Sequence, residues 1–185
     1  NGIAPCNLHI DTGECVALTG PSGSGKTLVL RTLADLDPND AEVALDGEPR
    51  SAIAAPEWRR RVCYLAAEPG WWEDRVAPHF PGDGSAPALF DALDLPAALL
   101  EQAVATVSTG ERQRLALIRL LLLEPRVLLL DEPTSSLDAA AAERVEAMLG
   151  ERLAGGAAIL LVTHEPRLAS RLADRRLEIR DGVLS

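Results

Sequence analysis

Apolar residues fall along this chain in two rhythms. Unbroken apolar runs at Cys15 to Thr19 (CVALT), Val62 to Ala66 (VCYLA), Val127 to Leu130 (VLLL) and Ala158 to Val162 (AILLV) predict short strands covered on both faces. Between them the apolar positions recur at helical spacing, which predicts helices over Lys26 to Leu36, Glu111 to Leu123 and Arg167 to Ala173. The alanine run Ala139 to Ala142 suits the start of another helix. Asp46-Gly47 and Asp181-Gly182 predict tight turns, the second joining two short strands within Arg176 to Leu184. Cys6 to Ile10 reads as a further strand leading into Gly13-Glu14. Strands alternating with helices predict an α/β fold, with a mostly parallel sheet flanked by helices and a reduced antiparallel β region near the N-terminus.

Pro69 to Pro87 (PGWWEDRVAPHFPGDGSAP) interrupts this alternation, because its prolines and glycines block long helices. Leu89 to Val104 then reads as a short helical subdomain whose second helix starts at Asp94 and Pro96. The organisation expected is one domain over residues 1–185, with a core of about 1–68 and 107–185 and the small helical subdomain at about 69–106. At 185 residues the chain is long enough to bury a substantial core.

The candidate chemistry sits where strands give way to helices. Gly20 to Thr27 (GPSGSGKT) fits the phosphate-loop pattern G-x-x-x-x-G-K-[ST] and lies between a predicted strand and a predicted helix. The backbone of Gly20, Pro21, Ser22, Gly23, Ser24 and Gly25 would wrap phosphate oxygens, its N–H groups lying at the positive end of the helix dipole. Lys26 would reach the β- and γ-phosphates, and the Thr27 hydroxyl would ligate magnesium. The run Val127 to Leu130 ends in Asp131 and Glu132, at the strand end where open α/β sheets bind ligands. Asp131 is a magnesium partner on this reading, and Glu132 orients or deprotonates an attacking water. The competing reading of Asp131-Glu132 is a plain helix cap before Pro133.

These segments, in this order, resemble the ATP-binding cassette ATPases. The resemblance rests on a Walker A loop (GPSGSGKT), a signature-like VSTGE at Val107 to Glu111, a Walker B (VLLLDEP), a D-loop (Ser136-Leu137-Asp138) and a switch-histidine segment (LLVTHE), and it covers nearly the whole chain. It implies a P-loop fold and Mg-dependent hydrolysis of ATP by a head-to-tail homodimer. Ser108, Gly110 and Glu111 of one subunit would meet the ATP held by the other, and Asp138 would belong to the dimer contact. His164, after the strand Ala158 to Val162, would reach the γ-phosphate from the edge of the sheet. The resemblance further implies a separate transmembrane permease as partner and a cytoplasmic position, peripheral on the inner face of the membrane.

Three departures from the family pattern qualify that picture. The glutamine usual after the strand VCYL falls on Ala67, leaving Glu68 as a possible substitute; Val107, Thr109 and Glu111 stand where leucine, glycine and glutamine are usual; and no aromatic precedes Trp58 to stack on adenine. The last suggests a chain trimmed at its N-terminus. The altered signature and Ala67 motivate one alternative, an ATP-gated interaction module with weak hydrolysis. A second is a non-transport cassette ATPase, although this chain has neither the long coiled-coil insertion nor the second cassette usual in that type.

Composition narrows the partners. Eighteen basic against 28 acidic side chains give a net charge of -10, which disfavours nucleic acid. The most apolar stretch, Leu115 to Leu123, is too short to span a bilayer and carries Arg119, so direct membrane insertion is not expected. Cys6, Cys15 and Cys63 lack C-x-x-C spacing and read as small core residues of a reduced compartment. Trp71-Trp72 stands out in a chain only 3% aromatic, either as an exposed interface pair or as filler between core and helical subdomain; His79 and Phe80 carry no assigned role.

Overall fold

Each apolar run forms a strand whose alternate residues serve opposite layers. The computed structural model describes residues 3–82 and 86–184. Its strands in chain order are β1 (Cys15–Thr19), β2 (Ala44–Leu45), β3 (Glu48–Pro49), β4 (Val62–Leu65), β5 (Val127–Asp131), β6 (Ala158–Val162), β7 (Arg175–Arg180) and β8 (Val183–Leu184). The main sheet runs β4-β5-β6-β1-β7-β8, parallel throughout except for the last pair, while β2 and β3 form a separate hairpin. The hairpin turn has Asp46 and Gly47 both at positive φ, 51° and 81°, as a two-residue turn of this hand requires.

The helices are α1 (Lys26–Leu33), α2 (Ala55–Arg61), α3 (Pro87–Ala92), α4 (Thr109–Leu121), α5 (Ala139–Ala154) and α6 (Pro166–Leu172). On one face of the sheet Leu128, Leu130, Ile159 and Leu161 pack with α4 and α5 through Leu115, Ile118, Val145 and Leu149. On the other face Leu129, Leu160 and Val162 pack with Val29 and Leu30 of α1 and Trp58 of α2. Each fully buried leucine contributes about 1.5–3 kcal/mol relative to exposure. Phe90, Leu93, Leu95 and Leu99 join the first of these clusters, so the segment after Pro87 is fastened to the layer of α4.

Several expected boundaries move, for local reasons. The helix predicted to Leu36 ends at Leu33, because Asp35 adopts φ 56° and closes a Schellman turn, with Leu36 N–H donating to Arg31 O at 3.0 Å and Asp35 N–H to Thr32 O at 3.2 Å. Asp94, read as the start of a second helix, instead ends α3 in the same way at φ 53°, with Leu95 N–H donating to Phe90 O at 2.9 Å. Beyond Pro96 the chain forms two 3₁₀ turns, Ala97–Glu101 and Val104–Thr106, in place of a second helix. The helix expected from Glu111 starts at Thr109 and ends at Leu121, and residues 3–10 form no strand.

The cysteines divide. Cys15 and Cys63 are buried, and burial first of all pushes their thiols up to about 12 and about 11. Cys6 is exposed, contrary to the core position expected of it.

Candidate functional site

Parallel register brings the ends of β1, β5 and β6 to one rim. Leu18 lies opposite Val162, and Asp131 lies opposite Val162 on its other side, so the segments after Thr19, Asp131 and Val162 leave the sheet together. Gly20–Thr27, Asp131, Glu132 and His164 therefore share that rim. β6 is an interior strand, flanked by β5 and β1, so His164 stands at the end of the sheet's middle and not at its lateral edge.

In the Gly20–Thr27 loop, Gly20, Gly23 and Gly25 have φ of 146°, 76° and 108°, a backbone that residues with a Cβ resist. Gly25 caps α1 without any side-chain hydrogen bond, which leaves the first N–H groups of that helix to an outside acceptor. Lys26 is 8% exposed and donates from Nζ to the carbonyls of Gly20 at 2.8 Å and Pro21 at 2.9 Å. Its ammonium is thus folded onto the loop that it would leave for a phosphate. The buried Ser24 Oγ has no hydrogen-bond partner, an orphan that an anion in the loop would satisfy.

The Thr27 hydroxyl donates to Asp131 Oδ2 at 2.7 Å, and Asp131 is 5% exposed. A hydroxyl oxygen retains lone pairs for an ion while its O–H points at the carboxylate, so this pair suits a magnesium ion held through oxygen ligands. The same Oδ2 accepts from the hydroxyl of Tyr64 at 3.3 Å. Burial, followed by the neighbouring Asp131 charge, pushes the Tyr64 phenol up to about 12, so it remains a donor.

Glu132 turns the chain off β5 with φ 49°, a left-handed conformation unusual for this residue type, while its N–H donates to Val162 O at 2.8 Å. Its Oε2 accepts the backbone N–H of His164 at 3.2 Å, and its buried Oε1 has no hydrogen-bond partner. The His164 imidazole lies 3.6 Å from that oxygen. Behind them the Thr134 hydroxyl donates to Glu165 at 2.9 Å and tethers the two turns.

Ser108 and Glu111 meet each other at the start of α4. Glu111 N–H donates to Ser108 Oγ at 3.3 Å, and Ser108 N–H donates to Glu111 Oε2 at 2.9 Å, a capping box. The Ser108 hydroxyl also donates to Oε2 at 2.6 Å, and these bonds hold the Glu111 carboxyl below its ordinary range. A Cβ on Gly110 would sit 3.0 Å from Ser136 O, so the start of α4 packs closely on the segment leading to Asp138. Asp138 caps α5, accepting from Ala141 N–H at 2.8 Å. Among the described residues, no hydrogen bond or ion pair joins Ser108, Glu111 or Asp138 to Gly20–Thr27.

The family model for ABC transporters matches residues 3–135. This chain belongs to the ABC transporter family. It is 34% identical over 200 residues to the lipoprotein-releasing system ATP-binding protein LolD of Shewanella frigidimarina, covering 98% of this chain and 83% of that one. It is also 34% identical to the phosphate import ATP-binding protein PstB 2 of Natronomonas pharaonis, covering 95% of this chain and 70% of that one. Among solved structures, the ATP-binding subunit of an ABC transporter superposes with a TM-score of 0.85 at 26% identity, covering 96% of this chain and 79% of that one. A bacterial ABC transporter cassette solved as a dimer gives 0.82 at 25% identity, covering 99% and 88%. The chain is therefore an ABC ATPase, which binds and hydrolyses ATP.

Three features of this cassette are not evident in its motifs. Glu68 is exposed, and it is Tyr64 on β4 that reaches Asp131; the strand's alternation hides this, since only pairing with β5 brings the phenol to the carboxylate. His79 is 6% exposed and organises the Trp71-Trp72 loop: its Nε2 accepts from the N–H groups of Trp72 and Glu73 at 3.2 Å and 3.3 Å, which puts the proton on Nδ1, facing Arg75 O at 3.0 Å. Arg119 of α4 lies over both indoles, 4.9 Å and 4.7 Å from their centroids, and burial draws its pKa down. Trp71 is partly buried against the core and Trp72 is 66% exposed, so the pair is split between the interior and the surface.

Proposed function

We propose that this ABC ATPase is the energy-supplying subunit of a membrane transporter, closing on Mg-ATP as a head-to-tail homodimer and docking on a separate permease. The observation that carries the reading is the Thr27–Asp131 pair at 2.7 Å beside Glu132 and the free N-terminus of α1, a ready arrangement for a nucleotide phosphate with its metal. Thr27 and Asp131 would hold magnesium, which supplies charge neutralisation at the phosphates. Lys26 moves from the loop carbonyls to the β- and γ-phosphates, and the unpartnered Ser24 Oγ gains an acceptor. Glu132 takes the proton of the attacking water, and its unpartnered Oε1 is the atom available for it. His164 stands beside that oxygen and contacts the γ-phosphate.

Across the dimer, Ser108, Gly110 and Glu111 face the partner's nucleotide, with Asp138 in the contact. The permease is assigned to a groove of about 520 Å³ along β4, lined by Leu36, Tyr64, Trp71, Trp72, Arg119 and Leu123. Leu36, Trp72 and Leu123, exposed by 41%, 66% and 50%, border it and support burial by a partner. Among the described residues no helix is long and apolar enough to cross a membrane. In this reading the pathway belongs to another chain, and this subunit sits at its cytoplasmic face. The named cargoes of the two relatives, phosphate and lipoproteins, differ, as fits a subunit whose own chemistry is ATP hydrolysis.

The test is steady-state Mg-ATP hydrolysis by the protein beside Glu132→Gln, with oligomeric state followed. The reading expects turnover in the parent, its loss in the variant, and an ATP-dependent dimer that persists in the variant. Parental turnover in Glu132→Gln would remove Glu132 from its role; a variant that stays monomeric with saturating ATP would overturn the sandwich dimer.

A further inference from the structure

Tyr64 stands between the nucleotide rim and the groove. It lies on β4, the outermost strand beside β5, and its hydroxyl donates to Asp131 Oδ2, the oxygen that also accepts from Thr27. Its ring packs on the α1 side of the sheet and lines the groove together with Trp71, Trp72 and Arg119. The residues that follow, Leu65, Ala66 and Ala67, have no side-chain polar atom, and Glu68 is exposed. Among the described residues Tyr64 is the side chain through which β4 and the turn after it hydrogen-bond to Asp131.

We propose that Tyr64 is a positioning residue for magnesium: its hydroxyl holds the Asp131 carboxylate in place, and because the same side chain walls the groove, an occupant of the groove acts on that carboxylate. A carboxylate fixed by two donors on one oxygen cannot rotate without breaking both bonds, and its remaining lone pairs stay aimed at the ion. Partners of this kind, one shell behind a metal ligand, change metal affinity when removed. The site for magnesium then has a mechanical link to the surface assigned to the permease, through a side chain and not through the loop position occupied by Ala67. This inference rests on the Mg-ATP reading above.

Two measurements test it. In a Glu132→Gln background, ATP affinity is measured by calorimetry with Mg²⁺ and with EDTA for Tyr64 and for Tyr64→Phe, which keeps the ring and deletes the hydroxyl. The expected result is that the Mg²⁺-to-EDTA affinity ratio falls about tenfold in Tyr64→Phe, while the EDTA affinity is unchanged. A ratio equal to that of the parent overturns the proposal and leaves the Mg-ATP reading intact. A parent with no preference for Mg²⁺ overturns both. Tyr64 is the only tyrosine in the chain, so biosynthetic 3-fluorotyrosine gives a ¹⁹F probe at this position without any substitution. Its resonance is expected to shift when Mg²⁺ is added to ATP-loaded protein, and to shift in Trp72→Ala, which opens the groove. A resonance indifferent to Mg²⁺ overturns the positioning role, and one indifferent to Trp72→Ala overturns the link to the groove.

Discussion

The backbone N–H of His164 holds Glu132 Oε2 at 3.2 Å, while the imidazole of the same residue lies 3.6 Å from Oε1. The main chain of one turn thus positions the carboxylate, and the side chain is left to a separate task. The ring is the more exposed partner, 65% against 18% for the Glu132 side chain, so it is open for the γ-phosphate contact proposed for it.

His164→Ala separates these functions. The variant retains the N–H that positions Glu132, so its melting temperature and ATP affinity are expected to match the parent, with affinity within about twofold of it. Loss of the imidazole is expected to lower Mg-ATP turnover roughly a hundredfold. Steady-state hydrolysis with calorimetric ATP binding checks this, and an undiminished rate would show that Glu132 works without the ring.

The Ser108–Glu111 capping box makes a pH-dependent contribution to α4. Hydrogen bonds from Ser108 hold the folded-state Glu111 carboxyl below its ordinary 4.5, so its contribution is full above that value and is lost as pH falls through the depressed folded value. Glu111→Gln is expected to be less stable than the parent at pH 7 by about 0.5 kcal/mol, allowing for solvent screening. The gap should close below pH 4.5, the ordinary value of the carboxyl. Ser108→Ala, which removes the cap itself, is expected to cost about 1 kcal/mol. Urea melts of the three proteins across pH measure both effects; a Glu111→Gln gap that does not change with pH would sink the electrostatic account.

How much of the fold and site is legible in the sequence depends on the range of each interaction. Runs such as VLLL and AILLV announce β5 and β6, because burial on both faces leaves no room for polar alternation. The phosphate loop is legible because its glycines, lysine and threonine are contiguous. The ends of α1 and α3 are not, since Asp35 and Asp94 adopt the left-handed conformation usually left to glycine, and no hydrophobic rhythm records a single φ. The cluster of Trp71, Trp72, His79 and Arg119 is hidden for a different reason. Arg119 arrives from α4, far along the chain, and His79 acts by hydrogen-bonding backbone, which leaves no pattern in the sequence. Tyr64 and Asp131 likewise meet only when β4 pairs with β5.

Leu123→Arg tests the groove. Leu123 is 50% exposed beyond the end of α4, so the substitution is expected to change stability by no more than about 0.5 kcal/mol and to leave basal ATP hydrolysis as it was. Placed in an apolar groove that already holds the Arg119 guanidinium, a second cation is unfavourable for a partner that must be desolvated there. Co-purification with the permease is expected to fall at least tenfold. Undiminished recovery of the permease with Leu123→Arg would place the docking surface elsewhere.

Gly20 and Gly23 give a comparison within one loop. Both have positive φ, 146° and 76°, so alanine is strained at either. Their surroundings differ: a Cβ at Gly20 would lie 2.2 Å from the carbonyl oxygen of Ile179 on β7, whereas at Gly23 nothing lies within 4 Å. The Ile179 carbonyl belongs to a strand residue whose side chain is fully buried, so it cannot withdraw cheaply. Gly23→Ala is therefore expected to cost about 1 kcal/mol from backbone strain alone. Gly20→Ala is expected to cost about 3 kcal/mol or more, because relief of the clash must move either the loop or β7. Equilibrium urea unfolding of the two variants decides between strain and contact. Equal losses would show that the loop yields freely at Gly20, and that its close approach to β7 is not what shapes the phosphate cradle.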